Sequence, residues 1–281
     1  MSLTALLDNR DVKDKFREEF EKPWFTAKEK LLAPPLTDHY SLVGTAFDYL
    51  LRFHAQRLNR EVVAKPWIAE YAAELLGEDS RFSSTATTII RRAKKEHLAF
   101  LRTGRFSDGL LRATLLLAQL DPFFRAGVLD EHLGRVNQKD VRDLRNLMSV
   151  VRPRMLKAKR ACLLNPTFGK ASQLVEGADV DFVVDDMLID VKTTKNLEMG
   201  RDIFNQLIGY YVLYRIGGID GLPRSRKIKR LGIYFSRYGY LHVMRVCDIV
   251  NEGTLPRFVR WFRQRARKDY ARPRFVLTAN V

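Results

Sequence analysis

Gly177-Ala178-Asp179-Val180-Asp181-Phe182-Val183-Val184-Asp185-Asp186-Met187-Leu188-Ile189-Asp190-Val191-Lys192 is the stretch on which the fold turns. Six acids fall between Glu176 and Asp190, in a chain of 281 residues with a formal net charge of +16. Residues 180–184 and 187–191 are apolar and β-branched runs that acids interrupt with period two, the signature of strands. A two-residue turn at Asp185-Asp186 pairs Val184 with Met187, Val183 with Leu188 and Phe182 with Ile189. Continued outward, the same register sets Asp181 opposite Asp190, and Asp179 opposite Lys192. Alternation then sends Asp179, Asp181, Asp190 and Lys192 to one face, and Phe182, Val184, Ile189 and Val191 to a core on the other.

Carboxylates directly opposed across two strands repel each other. A hard divalent cation held by oxygen ligands reverses that sign, and Mg²⁺ suits a site with one or two carboxylates and several waters. Lys192 would stand beside it, able to hold a water or a phosphate oxygen. The other reading is a solvated acidic hairpin edge. A register slip of one residue would move Asp181 to the opposite face and dissolve the constellation.

The rest of the chain is basic, with a pI near 10, which points to a polyanionic partner held through phosphate neutralisation. Arg152, Arg154, Lys157, Lys159 and Arg160 form one cluster, and Arg224, Arg226, Lys227, Lys229 and Arg230 another. Residues 257–274 hold eight basic residues against one acid, Asp269. Phe258, Trp261 and Phe262 recur there at helical spacing and read as core, with base stacking as the alternative. The basic clusters are scattered rather than gathered on one amphipathic helix, which argues against a membrane surface. No apolar run reaches the length of a membrane span, and the amino terminus does not read as a secretory signal, so a cytoplasmic location is expected. Two cysteines, Cys162 and Cys247, are too few for a four-cysteine zinc site or an iron–sulfur cluster. The five histidines are dispersed without ligand spacing, and no P-loop is present.

Helical periodicity dominates residues 1–160, with segments at about 12–22, 41–59, 65–76, 85–101, 108–120 and 138–148. Breaks are expected at Pro23, Pro34-Pro35, Gly77, Gly104, Asp121-Pro122 and Arg152-Pro153. Beyond residue 160 come a short strand at 161–164, the acidic hairpin, a helix over 202–216, strands at 231–235 and 240–246, and a helix over 255–267. The order implies an α/β core with a helical appendage.

Asp181, then Asp190-Val191-Lys192, then Gln206-Leu207-Ile208-Gly209-Tyr210 on the next helix resembles the PD-(D/E)XK nuclease superfamily, and within it the RecB-like group with its Q-x-x-x-Y motif. The resemblance covers residues 163–245 and adds one earlier helix, where Gly44 and Asp48 match the glycine and metal-facing acid of that group; Asp48 reads equally well as an ordinary polar-face residue. It implies an α+β, restriction-endonuclease-like core with a mixed central sheet flanked by helices. Residues 161–281 would form that core with a basic carboxy-terminal helix, and residues 1–160 a mainly helical region. Within the latter, 41–59 would be the first core helix and 60–160 a helical insertion.

Carried over residue by residue, the resemblance makes Asp181, Asp190 and the backbone carbonyl of Val191 ligands of Mg²⁺ or Mn²⁺, with Asp48, Asp179 and Glu176 as further candidates. Asp179 and Asp181 both compete for the place of the first acid. Lys192 would orient or deprotonate the attacking water. Gln206 would steady Lys192 or a phosphate, and Tyr210 would touch the nucleic acid. The implied activity is metal-dependent phosphodiester hydrolysis, with DNA as the expected substrate, in DNA processing, repair or anti-phage defence, alongside a helicase/ATPase or another defence protein. The rival expectations are a non-catalytic nucleic-acid-binding subunit of a larger complex and an RNA nuclease.

Overall fold

A computed structural model describes residues 2–59, 61–62, 65–77, 82–129 and 132–270. Among the described residues, seven α-helices precede the first strand: α1 (Leu3–Leu7), α2 (Arg10–Glu19), α3 (Tyr40–Leu58), α4 (Ile68–Leu76), α5 (Ser83–Thr103), α6 (Asp108–Ala126) and α7 (Gln138–Val150). Strands β1 (Cys162–Leu164), β2 (Phe182–Val184) and β3 (Met187–Lys192) follow, then α8 (Arg201–Gly217), β4 (Arg230–Phe235), β5 (Tyr240–Arg245), α9 (Val246–Ile249) and α10 (Leu255–Tyr270). The five strands form one sheet in the order β1-β2-β3-β4-β5. Only β3 and β4 pair in parallel, so β2 and β5 run against the other three. A parallel pair needs a crossover, and α8 supplies it.

The hairpin has the expected register: Phe182 pairs with Ile189, Val183 with Leu188 and Val184 with Met187. Asp185 enables the turn by adopting φ +57°, a left-handed conformation that Asp tolerates better than branched residues do. Its carboxylate is spent on structure, accepting the backbone N–H groups of Lys159, Arg160 and Ala161.

Strand alternation splits the core in two. Phe182, Val184, Met187, Ile189 and Tyr234 face the helical layer of α3–α7. Val183, Leu188, Leu231, Ile233 and Phe235 face α1, α2, α8 and α10. The chain therefore does not part into two cores at residue 160. Phe16 of α2 and Phe20 just after it pack against Phe258 of α10 at centroid distances of 5.1 and 4.8 Å, so the amino-terminal helices cover the same sheet face as α8. Phe258 and Phe262 are buried core residues, as their spacing predicts, and Trp261 is half-buried. Residues 271–274 of the basic tail lie outside the described residues.

One expected break is absent. Helix α6 runs through Pro122 to Ala126 and stops at Gly127, φ +67°. Proline removes one i→i−4 hydrogen bond, but α6 is buried around most of its circumference from Leu110 to Asp121, and tertiary packing outweighs that loss. A buried ion pair closes the assembly: Arg237, between β4 and β5, donates to both Asp143 carboxylate oxygens at 2.8 and 3.1 Å and to the Ala33 carbonyl at 2.9 Å.

Candidate active site

Asp190 and Lys192 are two residues apart on β3 and share the face of Leu188, toward α8. Asp190 is 3% exposed, and the Lys192 ammonium stands 2.8 Å from its Oδ2. The same ammonium donates to Gln206 Oε1 at 2.8 Å, and Gln206 Nε2 donates to Tyr210 Oη at 3.0 Å. Gln206 and Tyr210, at i and i+4, lie on one face of α8, which the crossover lays against β3. A ring stack of Phe168 on Tyr210, with centroids 5.8 Å apart, backs the tyrosine.

Asp181 sits one residue before β2. Its Oδ2 accepts the Val191 N–H at 2.6 Å, so the side chain takes over where the ladder ends. The backbone pairs extend no further than Phe182–Ile189. This corrects the expected pairings of Asp181 with Asp190 and of Asp179 with Lys192: Asp179 forms a bridge with Thr167, and its carboxylate accepts from Asn165 Nδ2 at 3.0 Å. Glu176 stands exposed at the left-handed cap, φ +51°, that closes the 3₁₀ segment Gly169–Val175.

Helix α3 reaches the cluster from the other layer. A methyl group on Gly44 would meet Thr193 Cβ at 3.7 Å, an ordinary contact, so the glycine is close to the end of β3 without being sterically required there. One turn on, Asp48 Oδ2 pairs with Arg52 at 2.7 Å, while its Oδ1 is buried with no hydrogen-bond partner.

The carboxylates feel one another. Burial, then the charges of Asp190 and Asp48, push the Asp181 carboxyl well above the usual range. Burial raises Asp190 against the pull of Lys192. Burial also raises Asp48, opposed by Arg52 and reinforced by Asp179. Tyr210 is driven well above its ordinary value by burial, then by Asp190, Asp181 and Asp179. Asp48, Asp181, Asp190, Lys192, Gln206 and Tyr210 thus belong to one neighbourhood, with Asp179 at its edge.

Among the described residues, no three His, Cys, Asp or Glu side chains form a ready-made metal cage. Each acid is turned to an internal partner: Asp48 to Arg52, Asp190 to Lys192, and Asp181 to Val191 N–H. In kind, the donors fit a hard cation: they are carboxylate oxygens, two of which, Asp48 Oδ1 and Asp190 Oδ2, are buried without a hydrogen-bond partner. Sequence reasoning did not single out Arg52, although an acid four residues before an arginine is a recognisable helix pair. It also passed over Asn165, and the bond between the Ser236 and Thr193 hydroxyls, 3.0 Å, beside Lys192. Those contacts join segments far apart in the chain and leave no local signal.

Comparison with protein-family models, curated proteins and solved structures finds no match for this chain. Among the described residues, no helix is long and apolar enough to cross a membrane.

Proposed function

We propose that this chain is a divalent-metal-dependent nuclease of the PD-(D/E)XK type, hydrolysing phosphodiester bonds in DNA. The observation that carries the reading is the line in which Lys192 is ion-paired with Asp190 and hydrogen-bonded to Gln206, and Gln206 to Tyr210, with Asp181 and Asp48 electrostatically joined to it. Asp181, Asp190 and the Val191 carbonyl, with Asp48 as a further ligand, would hold Mg²⁺ or Mn²⁺. When bound, that ion would lower the pKa of a water and neutralise charge growing on the phosphate. An ammonium has three donors; Lys192 gives one to Gln206 and is ion-paired with Asp190. A donor is left for the water or a phosphate oxygen. Gln206 fixes where that donor points, because its own amide is held by Tyr210.

The net charge of +16 supports a nucleic-acid partner. Action in the cytoplasm, in repair or defence beside a helicase/ATPase, belongs to the same proposal. A second reading, a non-catalytic binding subunit, is favoured by one observation: all three carboxylates already have internal partners. An RNA nuclease is the third reading.

Cleavage of linear and circular, single- and double-stranded DNA, with RNA alongside, tests the proposal. Mg²⁺ or Mn²⁺ should support cutting of DNA, EDTA should abolish it, and Asp190→Asn should bind DNA without cutting. Binding with no cleavage under any divalent metal would hand the case to the binding subunit.

A further inference from the structure

Two basic clusters that lie far apart in sequence meet at the turn of the β2–β3 hairpin. On one side, Asp185 accepts the backbone N–H groups of Lys159 at 3.1 Å and Arg160 at 2.7 Å. On the other, the Asp186 carbonyl accepts the N–H groups of Lys229 at 2.8 Å and Arg230 at 3.1 Å. Both turn carboxylates are consumed: Asp185 by those backbone groups, and Asp186 by the Arg230 guanidinium, whose Nε lies 2.8 Å away. Lys157, Lys159, Arg160, Arg224, Lys227 and Lys229 remain, all exposed. Glu252, whose charge reaches Lys227, is already paired with Arg215 at 2.6 Å.

This patch is at the wrong end of the hairpin to touch the scissile phosphate. Strand β3 starts beside the turn at Met187 and ends at Lys192, five steps of about 3.3 Å, or roughly 16 Å. A duplex strand advances about 3.4 Å per nucleotide. A phosphate at Lys192 and one at the patch would therefore be about five nucleotides apart. The large apolar side chains that stand exposed among the described residues include none from either cluster. A membrane-binding surface would need such side chains beside the charge.

We propose that the patch is a second nucleic-acid contact, a phosphate-backbone anchor separate from the carboxylate site. It rests on the nucleic-acid reading given above, not on the cleavage chemistry. The anchor sets where along the strand the enzyme sits, and β3 is the spacer between grip and cut.

The test is fluorescence anisotropy with a labelled duplex DNA of about 20 base pairs in EDTA, from about 50 to 200 mM salt, on wild type and on Lys159→Ala/Arg160→Ala/Lys229→Ala. These side chains are exposed and the turn is held by backbone N–H groups, so thermal melting should be unchanged. Removing three phosphate contacts should weaken binding at least tenfold at the low-salt end and make the slope of log K against log salt shallower by about three. Wild-type affinity and slope in the triple variant would overturn the anchor alone. Absence of duplex binding by wild type would overturn both readings. Binding lost in the variant, with no cleavage by wild type under any divalent metal, would leave the anchor standing and remove the nuclease. Binding of wild type to anionic vesicles as tight as to DNA would overturn the anchor in favour of a lipid surface.

Discussion

Lys192 is held from two sides, by Asp190 and by Gln206, and those contacts differ in what they can lose. Its ammonium can only donate, so Gln206 must present Oε1 to it, which turns Nε2 to Tyr210 and makes the phenol oxygen the acceptor. A hydrogen bond to a charged group contributes about 1.5–3 kcal/mol, and one between neutral groups about 0.5–1.5 kcal/mol. Gln206→Leu should therefore lower kcat for DNA cleavage by roughly 10- to 150-fold, and Tyr210→Phe by no more than about 10-fold. Steady-state rates at saturating DNA decide, and a larger loss in Tyr210→Phe than in Gln206→Leu would reverse the order of the relay. At this scale Asp181, Asp190 and Lys192 were legible because strand alternation puts every second residue on one face. The Asp181–Val191 bond was not, because it replaces the backbone pairing that the alternation argument extends without limit.

Helices α3 and α6 carry the site's support on a buried polar contact. Tyr49, next to Asp48, donates to Asp121 Oδ1 at 2.7 Å, and burial pushes the Asp121 carboxyl up to about 6. An acid whose folded value exceeds its unfolded value of about 3.9 binds its proton more tightly in the native state. Stability from this group is therefore full below about pH 4 and is lost as pH rises through about 6, a loss of about 3 kcal/mol at pH 7. Asp121→Asn keeps an acceptor for Tyr49 and removes the ionisation. Urea unfolding should find it more stable than wild type at pH 7 by up to about 3 kcal/mol, with the difference vanishing near pH 4. A difference independent of pH would show that Asp121 does not titrate in this range. Most helices and strands were legible from periodicity, including the turn at Asp185-Asp186. The break expected at Pro122 was not borne out, since burial of α6 is a property of its neighbours. Helix α1, only five residues long, carries too short a pattern to recognise in sequence alone.

Across the described residues, the sheet is the divider, and the first helices, α1 and α2, share one side of it with the last, α10. Phe16 of α2 touches Phe20, Phe258 and Phe262, which binds the first helices to the last and both to the face that carries Lys192. Phe16→Ala should destabilise the protein by about 3–5 kcal/mol, read as a lower urea midpoint. A change under about 1 kcal/mol would mean that the amino-terminal helices are not part of this core. Sequence alone could not reveal this arrangement, because an amphipathic helix shows that it has a partner and not which one. The change of periodicity at residue 160 marks where strands begin and not where a core ends. Lys192, at the end of β3, is paired with Asp190 on its own strand and with Gln206 on α8. Cleavage and binding of the same DNA, with Mg²⁺ present, by wild type and Lys192→Met test its role most directly. The variant should bind DNA nearly as well as wild type and cut none of it. Cleavage by Lys192→Met at the wild-type rate would contradict that role.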